Sequence, residues 1–381
     1  MNEENPNRKQ FLIDCIVKHP LEFTDAAFEE LVRKETNLTF ADLRQLLIRI
    51  FDINESTLKL QSDATRGMLG LMNRWSTRFR QKRYYKTIRN GFRDPGNSRN
   101  KVIVAEGDSW FQFPFFVQDI IDWLNDRPDY AIYSIAYGGD WFTNILYEEK
   151  YIEELSIHVP DVFLISGGGN DFVGYNRLAI MVNPNCDSKL RDPEQLEKMF
   201  CIGADERTKA AILDGYRSVS PVFYSFIWTI KAQYYMLFRN LQESGKFDHM
   251  RIITQGYDYA LPTYNYRWRK WYQLQPLLNR MLGSGNWLKR PLMIRGVTDP
   301  ITSDNIIKAL IFELNYMFHE LAQRFPNVYH IDCRGVAPSF DDWFDELHLT
   351  SEKYQRIADA YKRCIDGNPP PAKVIRVVDW F

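Results

Sequence analysis

Five short apolar runs constrain this chain more than any other feature: KVIVAEG from Lys101, YAIYSIAYGG from Tyr130, VFLISGGGN from Val162, RIITQGY from Arg251 and VYHIDCRG from Val328. Helical stretches around 116–125, 144–157 and 304–325 alternate with them, and a last helix carries Tyr354, Ile357, Ala358 and Tyr361 on one face. Strands that are apolar throughout are covered on both faces, and strands separated by helices pair in parallel through crossovers. The pattern therefore predicts βαβ units and a parallel sheet. In open sheets of this kind the ligand crevice lies outside the carboxyl ends of the strands. Glycine-rich turns fall there, and Ser109, Gly139 and Asn170 would converge with them.

The alternation has boundaries. Residues 1–98 contain no convincing strand and read as a separate helical region, a candidate interaction module; residues 99–381 form the α/β part. Within the first region Leu43, Leu46, Leu47, Ile50 and Phe51 recur at helical spacing behind a Thr39/Asp42 capping box. A basic, aromatic stretch from Arg74 to Arg93 follows, with two readings: a solvated helical face, or a surface for an anionic membrane or a protein partner. Two insertions, at about 172–250 and 262–300, interrupt the α/β pattern. VFYSFIWTIKAQYYMLFRNLQ, from Val222, is nearly all apolar, but Lys231, Gln233 and Arg239 break it, so it predicts a buried or interfacial helix rather than a membrane span. The aromatic insertions either pack as core and lid or line the crevice, where they would suit an acyl chain.

Composition narrows the partners. With 45% hydrophobic residues and 25 Phe, 21 Tyr and 10 Trp, disorder is excluded as the main state. A formal net charge of -1 gives the molecule no overall attraction to nucleic acid. Five scattered cysteines, at 15, 186, 201, 333 and 364, without a C-x-x-C pair, argue against a disulfide framework or a structural zinc site and fit a reducing compartment. The polar start MNEENPNRKQ lacks a signal-peptide apolar core, so a cytoplasmic protein, peripheral at most to a membrane, is the expectation. No Walker loop, H-E-x-x-H or metal-ligand cluster appears, and neither metal nor cofactor is predicted.

The chemistry that these residues could build is acyl transfer. A serine hydroxyl needs a histidine to take its proton, and the histidine needs a carboxylate to fix its tautomer. Ser109 follows the first strand, and FDELHL places Asp345 three residues before His348, ahead of the last helix. Asp332, Asp341 and Asp342 are nearby carboxylates, but the three-residue spacing selects Asp345. Oxyanion donors would be the Ser109 and Gly139 backbone amides and the Asn170 side-chain amide. Each has an ordinary reading: Ser109 as a turn serine, His348 as a surface or helix-start histidine beside Thr350 and Ser351, Asn170 as a turn residue, and Gly138 or Gly139 as a source of positive φ.

Three ordered blocks, Gly107-Asp108-Ser109-Trp110, Gly169-Asn170-Asp171 and Asp345-Glu346-Leu347-His348-Leu349, resemble those of SGNH hydrolases, the GDSL esterase and lipase superfamily. The resemblance covers roughly residues 101–365. Trp110 stands where the family has leucine, and Gly138-Gly139-Asp140 is the loosest match, with either glycine able to align. It implies a three-layer α/β/α sandwich of flavodoxin-like type with a five-stranded parallel sheet. It also implies a serine esterase with Ser109 as nucleophile, His348 as base and Asp345 as its orienting partner, acting on lipid or other acyl esters; removal of acetyl groups from carbohydrate or small molecules is the alternative. A different class of function, a partner-controlled effector or binding scaffold working through residues 1–98, remains beside it. Phe111, Phe113 and Phe115, behind the serine, either shape an apolar entrance or pack beneath it.

Overall fold

Each of the five apolar runs is a strand: β1 Lys101–Gly107, β2 Tyr130–Ser134, β3 Val162–Ser166, β4 Arg251–Gln255 and β5 Val328–Asp332. The computed structural model describes residues 6–54, 68–94, 99–113, 117–186, 193–200, 205–267 and 285–380. All residues of β2 and β3 are buried. Because successive side chains of a strand point to opposite faces, that burial requires helices on both sides of the sheet. One covering pair joins the Ile120–Asn125 and Ser351–Asp366 helices, and another joins Pro221–Glu243 and Pro300–Arg324.

The sheet has six strands rather than the expected five. Their order is β2-β1-β3-β4-β5-β6, every neighbouring pair parallel, and the sixth is Val374–Arg376. Without it the outer edge of β5 would present unpaired amides and carbonyls. After the Ser351–Asp366 helix the proline-containing segment 367–373 returns the chain to that edge, and Ile375 is buried opposite Ile331.

Residues 6–94, as far as they are described, are helical: Pro6–Lys18, Asp25–Leu31, Phe40–Phe51 and Met68–Arg89 are the α-helices. The expected capping box is present, with Thr39 Oγ1 accepting from Asp42 N and the Asp42 carboxylate accepting from Thr39 N. Leu12, Ile16, Phe28, Leu31, Leu43 and Leu46 pack with Trp228, Ala232 and Met236 of the Pro221–Glu243 helix. That helix is the buried element expected of the first insertion. Its Lys231 is neutralised by Asp25 and Glu320 and lies over the Phe28 and Trp228 rings. Among the described residues no helix is long and apolar enough to cross a membrane. The Met68–Arg89 helix lies against β2. Residues 95–98, where the sequence suggests a boundary, fall outside the described residues, as do 268–284 of the second insertion and Phe115.

Candidate active site

The turn after β1 is held by a buried carboxylate. Asp108 accepts hydrogen bonds from Trp110 N at 3.0 Å, Tyr257 Oη at 2.5 Å and Ser166 Oγ at 3.4 Å. Burial raises its pKa, and these donors pull against that rise. Gly107 has to be glycine, since a Cβ there would stand 2.6 Å from the Ser166 carbonyl. Ser109 is thereby placed, half-buried, at the carboxyl edge of the sheet, and its hydroxyl makes no hydrogen bond among the described residues.

The loop before the Ser351–Asp366 helix folds around Asp345. Its Oδ1 accepts from the backbone amides of Leu347 and His348, both at 2.8 Å. Both carboxylate oxygens lie 2.9 Å from His348 Nδ1. A carboxylate in that position accepts a hydrogen bond from Nδ1–H and so leaves Nε2 as the acceptor nitrogen. Nε2 is buried and has no hydrogen-bond partner among the described residues. Phe113 stacks on the imidazole with ring centroids 3.8 Å apart and planes at 16°. The serine and histidine segments are tied to each other, because Trp110 Nε1 donates to the Leu347 carbonyl at 3.0 Å.

Ser109 and Asn170 line one cavity, with Leu347 beside them. Asn170 donates from Nδ2 to the Asp140 carbonyl at 2.8 Å, which leaves its second amide N–H without a partner among the described residues. The two candidate glycines separate. Gly138 is bracketed by Asn73, its amide donating to Oδ1 at 3.3 Å and its carbonyl accepting from Nδ2 at 3.0 Å. Gly139 has φ of 88°, and its amide makes no hydrogen bond among the described residues. It is not among the residues lining the cavity. Next to it, Asp140 is raised to about 6, chiefly by burial.

Sequence reasoning missed three contributors. Tyr257, just after β4, donates to Asp108 and accepts from Gly169 N at 3.1 Å, so it joins the ends of β1, β3 and β4. The Gly-Tyr pair after the RIITQ strand is the only local signal for it. Asp171 accepts from Phe142 N at 2.6 Å and Thr143 Oγ1 at 2.7 Å, and so caps the Phe142–Glu148 helix from the short Gly169–Val173 helix. Glu346, between Asp345 and His348, accepts from the amides of Trp287, Leu288 and Lys289 at 3.2, 3.3 and 2.7 Å, and burial pushes it up to about 7.

Most of the cavity's lining is apolar. Trp110, Phe172, Val173, Leu288, Ile307, Ile311 and Trp343 form its walls, with a free volume of about 40 Å³. That exceeds the ~10–15 Å³ needed for a water but holds only a group of a few atoms. Among the described residues no group of three or more His, Cys, Asp or Glu side chains could hold a metal ion.

No family model and no curated protein matches this chain. Among solved structures it is similar to a chain from Parabacteroides merdae ATCC 43184 described, without established activity, as a GDSL-like lipase: TM-score 0.35, 12% identity, over 68% of this chain and 92% of that one. A likeness that distant carries neither family membership nor activity across.

Proposed function

We propose that this protein is a serine ester hydrolase acting by acyl transfer. The observation that carries the proposal is His348, whose Nδ1 is held by Asp345 while its buried Nε2 has no hydrogen-bond partner among the described residues, on a segment tied to the residue after Ser109. In this reading Nε2 takes the Ser109 proton as Oγ bonds to the ester carbonyl carbon, and the carbonyl electron pair moves to oxygen. The Asn170 amide and the Ser109 and Gly139 N–H groups receive that charge. Collapse expels the alcohol oxygen with the proton from His348, and a water, deprotonated by the same nitrogen, releases the acid. No cofactor takes part. The apolar walls favour an apolar acyl group, and the free volume of about 40 Å³ favours a short one over a long lipid chain.

Labelling with a fluorophosphonate tests the chemistry. Wild type should label and Ser109→Ala should not; equal labelling of the two folded proteins ends the proposal. A chain-length series of p-nitrophenyl esters tests the pocket separately. Activity should fall from acetate or butyrate to octanoate, and a rise would overturn the short-acyl reading while leaving the nucleophile intact.

A further inference from the structure

The Met68–Arg89 helix turns the wrong kind of face to solvent. At 100° per residue, Leu71, Arg74, Trp75, Arg78, Phe79, Lys82, Tyr85, Lys86 and Arg89 fall within an arc of about 140°. All are exposed, with Leu71 at 50%, Trp75 at 55% and Phe79 at 61%. The opposite side carries Asn73, Arg80 and Tyr84, which are buried. Leu71, Trp75 and Phe79 recur every fourth residue, and the last two rings touch at 6.4 Å. Large apolar side chains aligned on the outer face of a surface helix mark an interaction site. The charge around them has one sign: residues 68–93 contain no Asp or Glu. Arg74, Arg78, Lys82, Lys86 and Arg89 have no acidic partner among the described residues, although the protein as a whole is nearly neutral.

We propose that this face docks on an anionic membrane surface. The stripe Leu71, Trp75 and Phe79 enters the headgroup boundary, and the surrounding cations meet lipid phosphates. A helix lying in that plane needs aromatic and aliphatic side chains on one side and cations at its rim, the arrangement present here. Its buried side explains how docking would present the candidate site. Arg80 donates to the Phe111 carbonyl, two residues beyond Ser109, and Asn73 brackets Gly138. A docked helix therefore holds the turns after β1 and β2 close to the membrane. The proposal stands whether or not the protein is a hydrolase.

Vesicle co-sedimentation of the full chain tests it. Binding should be strong on vesicles containing one-third phosphatidylglycerol, weak on phosphatidylcholine alone, and should weaken as salt rises. Trp75→Ser/Phe79→Ser and, separately, Arg78→Glu/Lys82→Glu should each lower partitioning by about tenfold or more. All four positions are exposed, so an unchanged circular dichroism spectrum and thermal midpoint identify folded variants. Ser109→Ala should bind as wild type does, which separates this test from that of the hydrolase. Equal binding to both vesicle types, or wild-type binding by both double variants, overturns the proposal. So does binding of an RNA oligonucleotide without vesicle binding, or a solution dimer that Trp75→Ser/Phe79→Ser dissociates.

Discussion

Replacing Arg80 with methionine should remove the tie between the Met68–Arg89 helix and the turn that carries Ser109. The guanidinium is buried and grips Asp119 with Nη2 at 2.6 and 2.7 Å, while Nη1 reaches the Phe111 carbonyl at 2.6 Å and Gln112 Oε1 at 2.5 Å. Asp119 is fully buried, so Arg80→Met strands a carboxylate, at a cost of about 3–5 kcal/mol when one partner of a buried pair is deleted. The Phe111 carbonyl loses a donor, about 1 kcal/mol more. Asp119 keeps the amides of Phe113 at 3.0 Å and Asp122 at 3.1 Å, which offset part of the loss. A net destabilisation of about 4 kcal/mol follows, a large fraction of the ~5–15 kcal/mol by which domains are stable. Urea unfolding of wild type, Arg80→Met, Asp119→Asn and the double variant measures it. The double variant should be less unstable than the sum of the singles by about 2 kcal/mol, and the deficit of Arg80→Met should shrink from pH 8 to pH 5, because a protonated Asp119 needs no counter-ion. A loss under about 1 kcal/mol, additive singles, or a deficit that grows in acid would refute the reasoning.

Three further outcomes follow from the same geometry. Asp345→Asn should lower ester hydrolysis by about four orders of magnitude with folding retained, since an amide cannot hold the same imidazole tautomer; steady-state kinetics on the best p-nitrophenyl ester reads this. Glu346 binds its proton more tightly when folded, so its contribution is present below pH 4.5 and lost as pH rises through about 7. At about 1.4 kcal/mol per pH unit that is about 3 kcal/mol, and Glu346→Gln should flatten the stability profile across this window in urea titrations. Trp228→Ala should cost about 3–5 kcal/mol, because the indole packs on Phe23 and Phe28 at 5.2 and 5.6 Å; partial proteolysis should then cut first within residues 6–54.

Much of the frame is legible in the sequence because its signals are local. A run such as VFLIS followed by three glycines can only be a buried strand and a tight turn, and Thr39 with Asp42, three residues on, announces a helix start at the next residue. Val374–Arg376 could not be read so, for three residues become a strand only when an open edge stands beside them. The basic stretch hides the same difficulty. Its arginines look alike in sequence, yet Arg80 is buried with Asp119 opposite, while Arg78 is exposed and faces no carboxylate among the described residues. At the site, the spacing of Asp345 and His348 encodes their contact, whereas the different surroundings of Gly138 and Gly139 come from Asn73, sixty-five residues before the first of them.

The carboxyl edge of the sheet shows one rule at several strand ends: a buried carboxylate captures donors from its own turn or from a neighbouring strand end. Asp108, after β1, takes Trp110 N and Tyr257 Oη; Asp171, after β3, takes Phe142 N, which follows β2; and Asp258, after β4, takes Gly335 and Ala337 N, which follow β5, at 2.5 and 2.6 Å. Each such group carries a desolvation cost, and burial raises all three pKa values, Asp258 to about 6. Apolar packing would have been the cheaper way to fill the space, but it does not fix the direction of a loop as a directional acceptor does. Ser109 lies in the turn that Asp108 holds, and Asn170 follows Gly169, whose amide donates to Tyr257 Oη, so both are positioned from the strand ends. His348 follows the same rule, its loop folding around Asp345, and adds a second tie: Glu346 fastens that loop to the amides of residues 287–289, so the histidine is joined directly to the end of the second insertion.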